Sequence, residues 1–335
     1  MVNKLEYVWF GGNGELRSKT KIVSNNINDI SQIPLWNFDG SSTGQATGID
    51  SEVILKPVRL YKDPFNSRND YIVLCETYLL NMEPHPTNTR HHATRILEAE
   101  NGLESEPMFG IEHEFFVLDG KTRRPIGFED GDPAPQGPYY CSVGFGNAFG
   151  RCFLYESMDR CLLAGLEITG CNLEVCPGQM EIQVCSQGIK AADDSSVLKY
   201  ILARVSEKFG CIVGWGAKPV KGDWNGSGCH VNFSTKKMRE ENGYHEILCA
   251  IEKLKKSHQE HILVYGDDND ERLTGHHETS DINTFSSGVA NRGCSIRIPR
   301  STESNRCGYF EDRRPSSSAD MYLVTSKIFD TCVNY

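Results

Sequence analysis

The stretch GIEHEF, residues 110–115, sets Glu112 and Glu114 one residue apart among strand-forming hydrophobic residues. Side chains of an extended strand alternate faces, so both carboxylates project the same way, ~6–7 Å apart. Like charges on one face repel, and a buried carboxylate without a partner is costly, so such a pair calls for positive charge opposite it. NLEVCPGQMEIQV (172–184) repeats the pattern: Glu174 precedes a Pro177-Gly178 turn and Glu181 follows it, so a hairpin would bring them together. GSGCHVNFS places His230 in a strand-like run, and GYFEDRRPS places Glu311 behind two aromatic residues. Five glutamates and one imidazole on apolar strands suit hard divalent cations such as Mg²⁺ or Mn²⁺, and a Glu-x-Glu pair can offer one donor to each of two ions. Taken singly, a strand glutamate usually faces solvent and a lone histidine is usually structural; the signal is in the set.

Six arginines accompany these motifs: Arg272 in DERLTGHHE, Arg292, Arg297 and Arg300 in ANRGCSIRIPR, and Arg313 and Arg314 in EDRRP. Guanidinium forks match carboxylate and phosphate oxygens, so the group points to anionic ligands, with surface ion pairs accounting for two or three. Arg297 alternates with Ile296 and Ile298, where a purely solvated role is unnatural. There is no G-x-x-x-x-G-K-[ST] loop and no G-x-G-x-x-G between strand and helix. Phosphates, if bound, must be held by cations and arginines, a workable design for phosphoryl transfer.

Positioning such a set requires a sheet. Residues 4–80 read as short strands, LEYVWF, LRSKTKIV, SEVILKPVRLY and DYIVLCETY, separated by turn clusters such as GGNG and FDGSSTGQATG. The two prolines of NMEPHPTNTR (81–90) mark a domain boundary, giving an N-terminal domain over 1–82 and a C-terminal one over 83–335. A helix is expected over TRHHATRILEAENG, closed by its final glycine, another over 153–165, a third from the serines of SSVLKYILARVSEKFG to its glycine, and a fourth over 242–262. Strand-like runs at 109–118, 171–185, 211–218, 228–234 and 294–298 lie between them, which implies an α+β domain on a largely antiparallel sheet.

Composition bounds the rest. The chain has 335 residues, 39% hydrophobic and 24% charged, with a net charge of −10. That balance fits a globular protein and argues against nucleic acid or an acidic membrane as partner. No run approaches the length of a membrane span, and the N-terminus lacks the basic-then-apolar order of a secretory signal. Thirteen cysteines, an odd number without C-x-x-C, read as reduced thiols, and the location expected is cytoplasmic.

In the order in which they occur, WNFDGSSTGQ, GIEHEF, PQGPYYCSVG, EVCPGQMEIQV, WNGSGCHVNFSTKKMREENG, RLTGHHETSDINTFSSGVANRGCSIRIPR and GYFEDRRPSSSADMYLVT resemble glutamine synthetase of the short, eukaryotic-like class, over essentially the whole chain. The resemblance implies an N-terminal β-grasp domain followed by a catalytic domain of curved antiparallel sheet flanked by helices. It implies pentameric rings stacked into a decamer, with sites between subunits, and the reaction of ATP, L-glutamate and ammonium to glutamine, ADP and phosphate.

Position by position, it implies that Glu114, Glu174 and Glu181 hold a metal nearer glutamate, and that Glu112, His230 and Glu311 hold one nearer the ATP phosphates. Arg292 and Arg297 correspond to binders of phosphate and the transferred group, and Arg272 and Arg313 to binders of the glutamate carboxylates. Asn225 and Gly226 would meet the amino-acid end, and Asn232, Ser234 and Tyr309 the nucleotide. Glu278 matches the flap residue over the ammonium pocket, and Asp39 the residue a neighbouring subunit contributes to bind and deprotonate ammonium.

Departures are few. The arm that precedes the YVWF-like strand in relatives, and contributes to ring contacts, is nearly absent here. WFGGNG carries Gly11 in place of an acidic residue, Met180 replaces a tryptophan and His113 a glutamine, all without removing an expected ligand. A ligase for another amine, or a non-catalytic relative, are the competing readings; the Asp39–Glu278 pair favours ammonia, and the intact ligand set favours catalysis.

Overall fold

The computed structural model describes residues 2–334 except 67, 129 and 130. Among the described residues, thirteen strands form two sheets. The first contains β1 (Asn3–Phe10), β2 (Leu16–Val23), β3 (Trp36–Asp39), β4 (Glu52–Lys62) and β5 (Tyr71–Tyr78), in the order β2-β1-β5-β4-β3. Only β1 and β5 run parallel in it.

Both faces of this sheet are covered at its centre. Leu5, Tyr7 and Trp9 of β1 pack with Phe38, Leu55 and Val73 in a core of their own. Val8, Tyr61, Ile72 and Leu74 point the other way and join Phe153, Leu154, Val197 and Ile201 of two helices beyond. That is why β1 and β5 read as near-continuous apolar runs rather than as alternating ones. Pro57, which has no N–H to give, sits where the β4–β5 register shifts between Pro57 and Arg59.

Polar contacts tie the same face down. Asp193, fully buried, accepts from Arg59 Nε at 2.7 Å, from Arg90 Nε at 2.7 Å and from Tyr322 Oη at 2.9 Å. Arg90 also reaches Glu76 at 2.7 Å, and Tyr61 Oη donates to Asp194 at 2.8 Å.

The second sheet contains β6 (Met108–Asp119), β7 (Ile168–Leu173), β8 (Gln179–Gln187), β9 (Cys211–Gly214), β10 (Cys229–Ser234), β11 (Ser287–Val289), β12 (Ile296–Ile298) and β13 (Phe310–Asp312). Its order is β11-β12-β13-β10-β6-β8-β7, with β9 also on β6, and every pairing but β11–β12 is antiparallel. The α+β class and the largely antiparallel sheet therefore stand. Among the described residues, no helix is long and apolar enough to cross a membrane.

Several elements depart from expectation. The helix expected over 89–102 is two, Thr89–Leu97 and Glu100–Ser105, and Gly102 lies inside the second rather than capping the first. The helix expected to begin at Ser195 begins at Ile189, which buries Ser195 and Ser196 within it instead of using them as caps. The helix over 242–262 breaks at Ser257 into Tyr244–Lys256 and His258–Ile262. The strand over 211–218 ends at Gly214, and 294–298 shortens to Ile296–Ile298. Trp36–Asp39, Ser287–Val289 and Phe310–Asp312 are strands too short for periodicity to reveal.

Candidate functional site

Strict alternation in the second sheet separates core from chemistry. Phe109 and Ile111 of β6, Val231 and Phe233 of β10, Ile296 and Ile298 of β12, and Phe310 of β13 pack with the Tyr244–Lys256 and Met321–Phe329 helices. The residues between them, Glu112, His230, Asn232, Arg297 and Glu311, share the opposite face. Antiparallel register then sets His230 directly across from Glu112, Asn232 and Arg297 across from Glu311, and Glu114 across from Glu181. His113, between the two β6 glutamates, points the other way and meets Ser195 Oγ at 2.8 Å.

Two groups of donors result. Glu112, His230 and Glu311 each offer an atom within 4.8 Å of the others, and so do Glu114, Glu174 and Glu181. One group lies on each side of the Glu112/Glu114 step along β6, as the spacing required. Glu174 is the exception to the strand placement: it sits just past the end of β7, in the turn, and reaches the group from there.

The first group is met by cations. His230 Nδ1 lies 3.2 Å from Glu112 Oε2 and 3.6 Å from Glu311 Oε1. Glu311 is fully buried, accepts from Arg313 Nη1 at 2.6 Å and ion-pairs with Arg297. Burial, then the Arg313 charge, holds the His230 imidazole well below its usual range, so it stays neutral with a lone pair to give.

The second group has less compensation. Glu114 accepts from Gly228 N at 2.7 Å and from Gln179 Nε2 at 3.1 Å, Glu174 from Asn172 at 2.8 Å, and Glu181 from Gln183 at 2.6 Å. Burial raises the carboxyl of Glu114, with Arg272 opposing. Burial and then the charges of Glu114 and Glu181 raise Glu174 well above its usual range. Burial, with the charges of Glu112 and Glu114, pushes Glu181 up to about 8. Three crowded carboxylates fit hard divalent cations, which take oxygen ligands and would offset the repulsion.

A small cavity of about 30 Å³ adjoins these groups, bounded by Glu114, Glu174, Asn225, Arg272, Glu278 and Arg292 among others. The 277–279 segment forms part of its wall. Glu278 Oε2 accepts from Asn225 Nδ2 at 3.0 Å and lies 3.7 Å from Arg292 Nη2, and its carbonyl accepts from Arg313 Nη2 at 3.3 Å. His277 and Glu278 have φ of 51° and 60°, left-handed values that non-glycine residues adopt at a cost. A volume that small holds water rather than an amino acid.

The expected residues distribute unevenly. Arg272 is buried, and burial lowers its guanidinium to about 10; its fork is spent on the carbonyls of Arg313 at 2.8 Å and Arg314 at 3.2 Å. Gly226 is required where it stands, because a Cβ would fall 2.6 Å from Arg272 Cγ and 2.7 Å from Ala217 O. Asn232 donates to Glu112 Oε1 at 2.9 Å, Ser234 Oγ accepts from Arg239 at 3.1 Å, and Tyr309 is partly exposed beside β13.

Two of the six arginines take no part. Arg300 is a surface residue beside Glu303, and Arg314 is locked to buried Asp312 at 2.7 Å. Asp39 stands apart, exposed at the end of β3 in the other sheet, with Ser41 Oγ at 2.6 Å and Ser42 Oγ at 3.1 Å.

Gln179 and Gln136 escaped sequence reading. Gln179 Nε2 bridges Glu114 to the Gly226 carbonyl, and Gln136 Nε2 reaches Asn225 Oδ1, both at about 3 Å. Gln179 lies two residues from Glu181 on one strand face, the same signal as Glu112 and Glu114; Gln136 sits in a loop that offers no periodicity.

The family model described as glutamine synthetase, beta-Grasp domain matches residues 1–79, and that described as glutamine synthetase, catalytic domain matches residues 86–250. Glutamine synthetase cytosolic isozyme 1-1 of Oryza sativa subsp. japonica is 52% identical over 331 residues, 98% of this chain and 93% of the relative. Glutamine synthetase cytosolic isozyme of Medicago sativa and glutamine synthetase root isozyme 3 of Zea mays match to the same extent.

Proposed function

This chain belongs to the glutamine synthetase family and is a glutamate–ammonia ligase, and we propose how its residues divide that work. The observation that carries the assignment is the pair of donor groups flanking the Glu112/Glu114 step. Glu114, Glu174 and Glu181 would hold one Mg²⁺ or Mn²⁺, and Glu112, His230 and Glu311 another. When bound, these ions supply charge neutralisation for phosphoryl transfer and anchor anionic substrate oxygens.

The γ-carboxylate of glutamate is a poor electrophile because it is already anionic. Its attack on the terminal phosphorus of ATP breaks the bond to ADP and gives a γ-glutamyl phosphate, from which attack of ammonia at the carbonyl expels phosphate. Arg292, Arg297 and Arg313, on the carboxylate face, would bind and stabilise the transferred group with fixed donors. Arg313, Asn225 and Gly226 would hold glutamate, Arg272 lining the same cavity and reaching it only by giving up its bonds to the Arg313 and Arg314 carbonyls, and Asn232, Ser234 and Tyr309, at the β10–β13 end, would contact nucleotide.

Ammonium is not nucleophilic until deprotonated. Glu278 faces the cavity as an anion and would attract NH₄⁺, with Asp39 of a neighbouring chain accepting its proton. Asp39 is exposed and stands at the end of a strand in the other sheet, which favours sites shared between subunits, in pentameric rings stacked as a decamer. Closure of the 277–279 segment would keep water from the acyl phosphate. A division at residues 82/83 and a cytoplasmic location complete the reading, the latter because relatives are named cytosolic isozymes.

The deciding experiment supplies purified protein with glutamate, ATP, Mg²⁺ and ammonium. Glutamine formation must require all four. Preference for an organic amine over ammonium would reassign the Asp39–Glu278 pair, and metal-independent turnover would overturn the division of ligands.

A further inference from the structure

A second and much larger cavity, about 840 Å³, lies between the β1–β2 hairpin and the Ile189–Phe209 helix. It shares no lining residue with the catalytic cavity. Its volume falls within the range of small-molecule sites, whereas packed interiors rarely leave such space. The space exists because the helix presents small or polar side chains there: Ser195, Ser196, Lys199, Ala203 and Ser206, at helical spacing. Their hydroxyls are satisfied locally. Ser195 Oγ donates to Ala191 O at 2.8 Å, and Ser196 Oγ to Ala192 O at 2.8 Å, so neither asks for solvent or for a bulky neighbour.

The opposite wall is apolar, with Phe10, Leu16, Ile212, Trp215 and Met321. Lys199 is the one cation among the described residues that line the cavity. Its ammonium makes two long bonds, 3.4 Å each, to the carbonyls of Ser317 and Ala319, and lies 5.0 Å from the centre of the Trp215 ring. No carboxylate among the described residues pairs with it. The nearby carboxylates are engaged: Asp320 caps the last helix through Tyr322 N at 2.8 Å and accepts from Thr89 Oγ1 at 2.6 Å, and Glu15 pairs with Arg17 at 2.7 Å. Burial holds the Lys199 amine below its usual range, with the Asp320 charge opposing at longer range, and an anion paired directly with it would favour its charged form.

We propose that this cavity is a binding site for a small apolar carboxylate, an aromatic or branched-chain acid. Its carboxylate pairs with Lys199 Nζ and its hydrocarbon part lies against Phe10, Trp215 and Met321. The site is also placed to be felt at the metal face. Ser317, whose carbonyl Lys199 holds, donates through Oγ to the Glu114 carbonyl and through N to Ser227 O at 3.0 Å.

The test uses the full chain with Mg²⁺, ADP and glutamate at saturation, so that the catalytic cavity is occupied. Anilinonaphthalene sulfonate serves as fluorescent reporter and 3-phenylpropionate as competitor. Saturable reporter binding is expected, displaced by the acid at least tenfold more effectively than by its neutral amide. Lys199→Met should weaken the acid about tenfold or more, a charge-assisted bond being lost, while Lys199→Arg keeps it within a few-fold. Ser196→Phe, which fills the cavity, should abolish displaceable binding and leave the basal ligase rate unchanged. Equal competition by acid and amide, unchanged binding in both Lys199→Met and Ser196→Phe, or absence of saturable binding would each overturn the proposal. If Lys199→Met does not fold, the acid-to-amide ratio and Ser196→Phe decide alone.

Discussion

Asn225 Nδ2 donates to Glu278 Oε2 across 3.0 Å, and this bond latches the 277–279 segment over the carboxylate cavity. Both residues of the strained pair, His277 and Glu278, are held left-handed by what surrounds them. Glu278→Ala removes the latch and the anion together. Glutamine formation should fall about 10²-fold or more, as for loss of a positioned proton acceptor. Phosphate release from ATP and glutamate should fall less, because water can then reach the acyl phosphate. The ratio of phosphate to glutamine measures this; a ratio fixed at one would argue against a sealing role.

Glu181 separates two consequences of the same charge. Without cations it faces Glu112 and Glu114, and those charges help to raise its carboxyl. Glu181→Gln should therefore stabilise the metal-free protein, with each kcal/mol of relief appearing as roughly 2–4 °C in Tm. The same substitution should cut Mg²⁺-dependent turnover by about 10²-fold or more through loss of a ligand. Paired melting and rate measurements would show the opposite signs; a lowered metal-free Tm with normal turnover would remove Glu181 from the ligand set.

Asp39 ends β3 of the first sheet and Arg313 follows β13 of the second, and a shared site needs one from each of two chains. Asp39→Ala and Arg313→Ala proteins should each be nearly inactive. Mixed and allowed to exchange subunits, they should recover toward roughly one quarter of wild-type activity, the share of sites that draw both intact residues at random. Demonstrated exchange with no recovery would confine the site to one chain.

His261 predicts an acid limit to stability. It is fully buried, between Tyr265 Oη at 2.6 Å and Thr331 Oγ1 at 2.9 Å, and burial with the Arg314 charge lowers its imidazole to about 3 from 6.5. A depressed native value means that the unfolded chain takes up the proton first as pH falls. Stability is thus complete above about pH 6.5 and declines below it by up to ~1.4 kcal/mol per pH unit from this group, until the native form also protonates near 3. His261→Gln should flatten that limb in denaturant titrations between pH 6 and pH 4. An unchanged slope would place the acid sensitivity elsewhere.

The carboxylate face was legible because period-two alternation is a local property: Glu112, Glu114, Glu181, His230 and Arg297 each sit among apolar residues that announce the strand. Glu311 was legible from its neighbours although its strand spans only Phe310–Asp312. The residues that hold these in place were not. Gln136 acts from a loop, and Arg272, though singled out as an anion binder, gives its guanidinium to backbone carbonyls that only the tertiary structure sets. The helix from Ile189 opens behind Gly188, without a capping side chain, so the serines further on offered a false start. Asp39 could be found only by resemblance, since nothing local distinguishes an acid at the end of a short exposed strand.

The covering of both faces of the first sheet limits how this chain can be cut. Val8, Tyr61, Ile72 and Leu74 fill one side of a core whose other side belongs to the Arg151–Ala164 and Ile189–Phe209 helices. Expressed alone, either segment would carry that bare hydrocarbon interface into water, and the larger one would also lose the Arg59 and Tyr61 partners of Asp193 and Asp194. Fragments of this polypeptide should therefore precipitate where the intact chain stays dissolved, and evolution can shuffle the two pieces only as a bonded set.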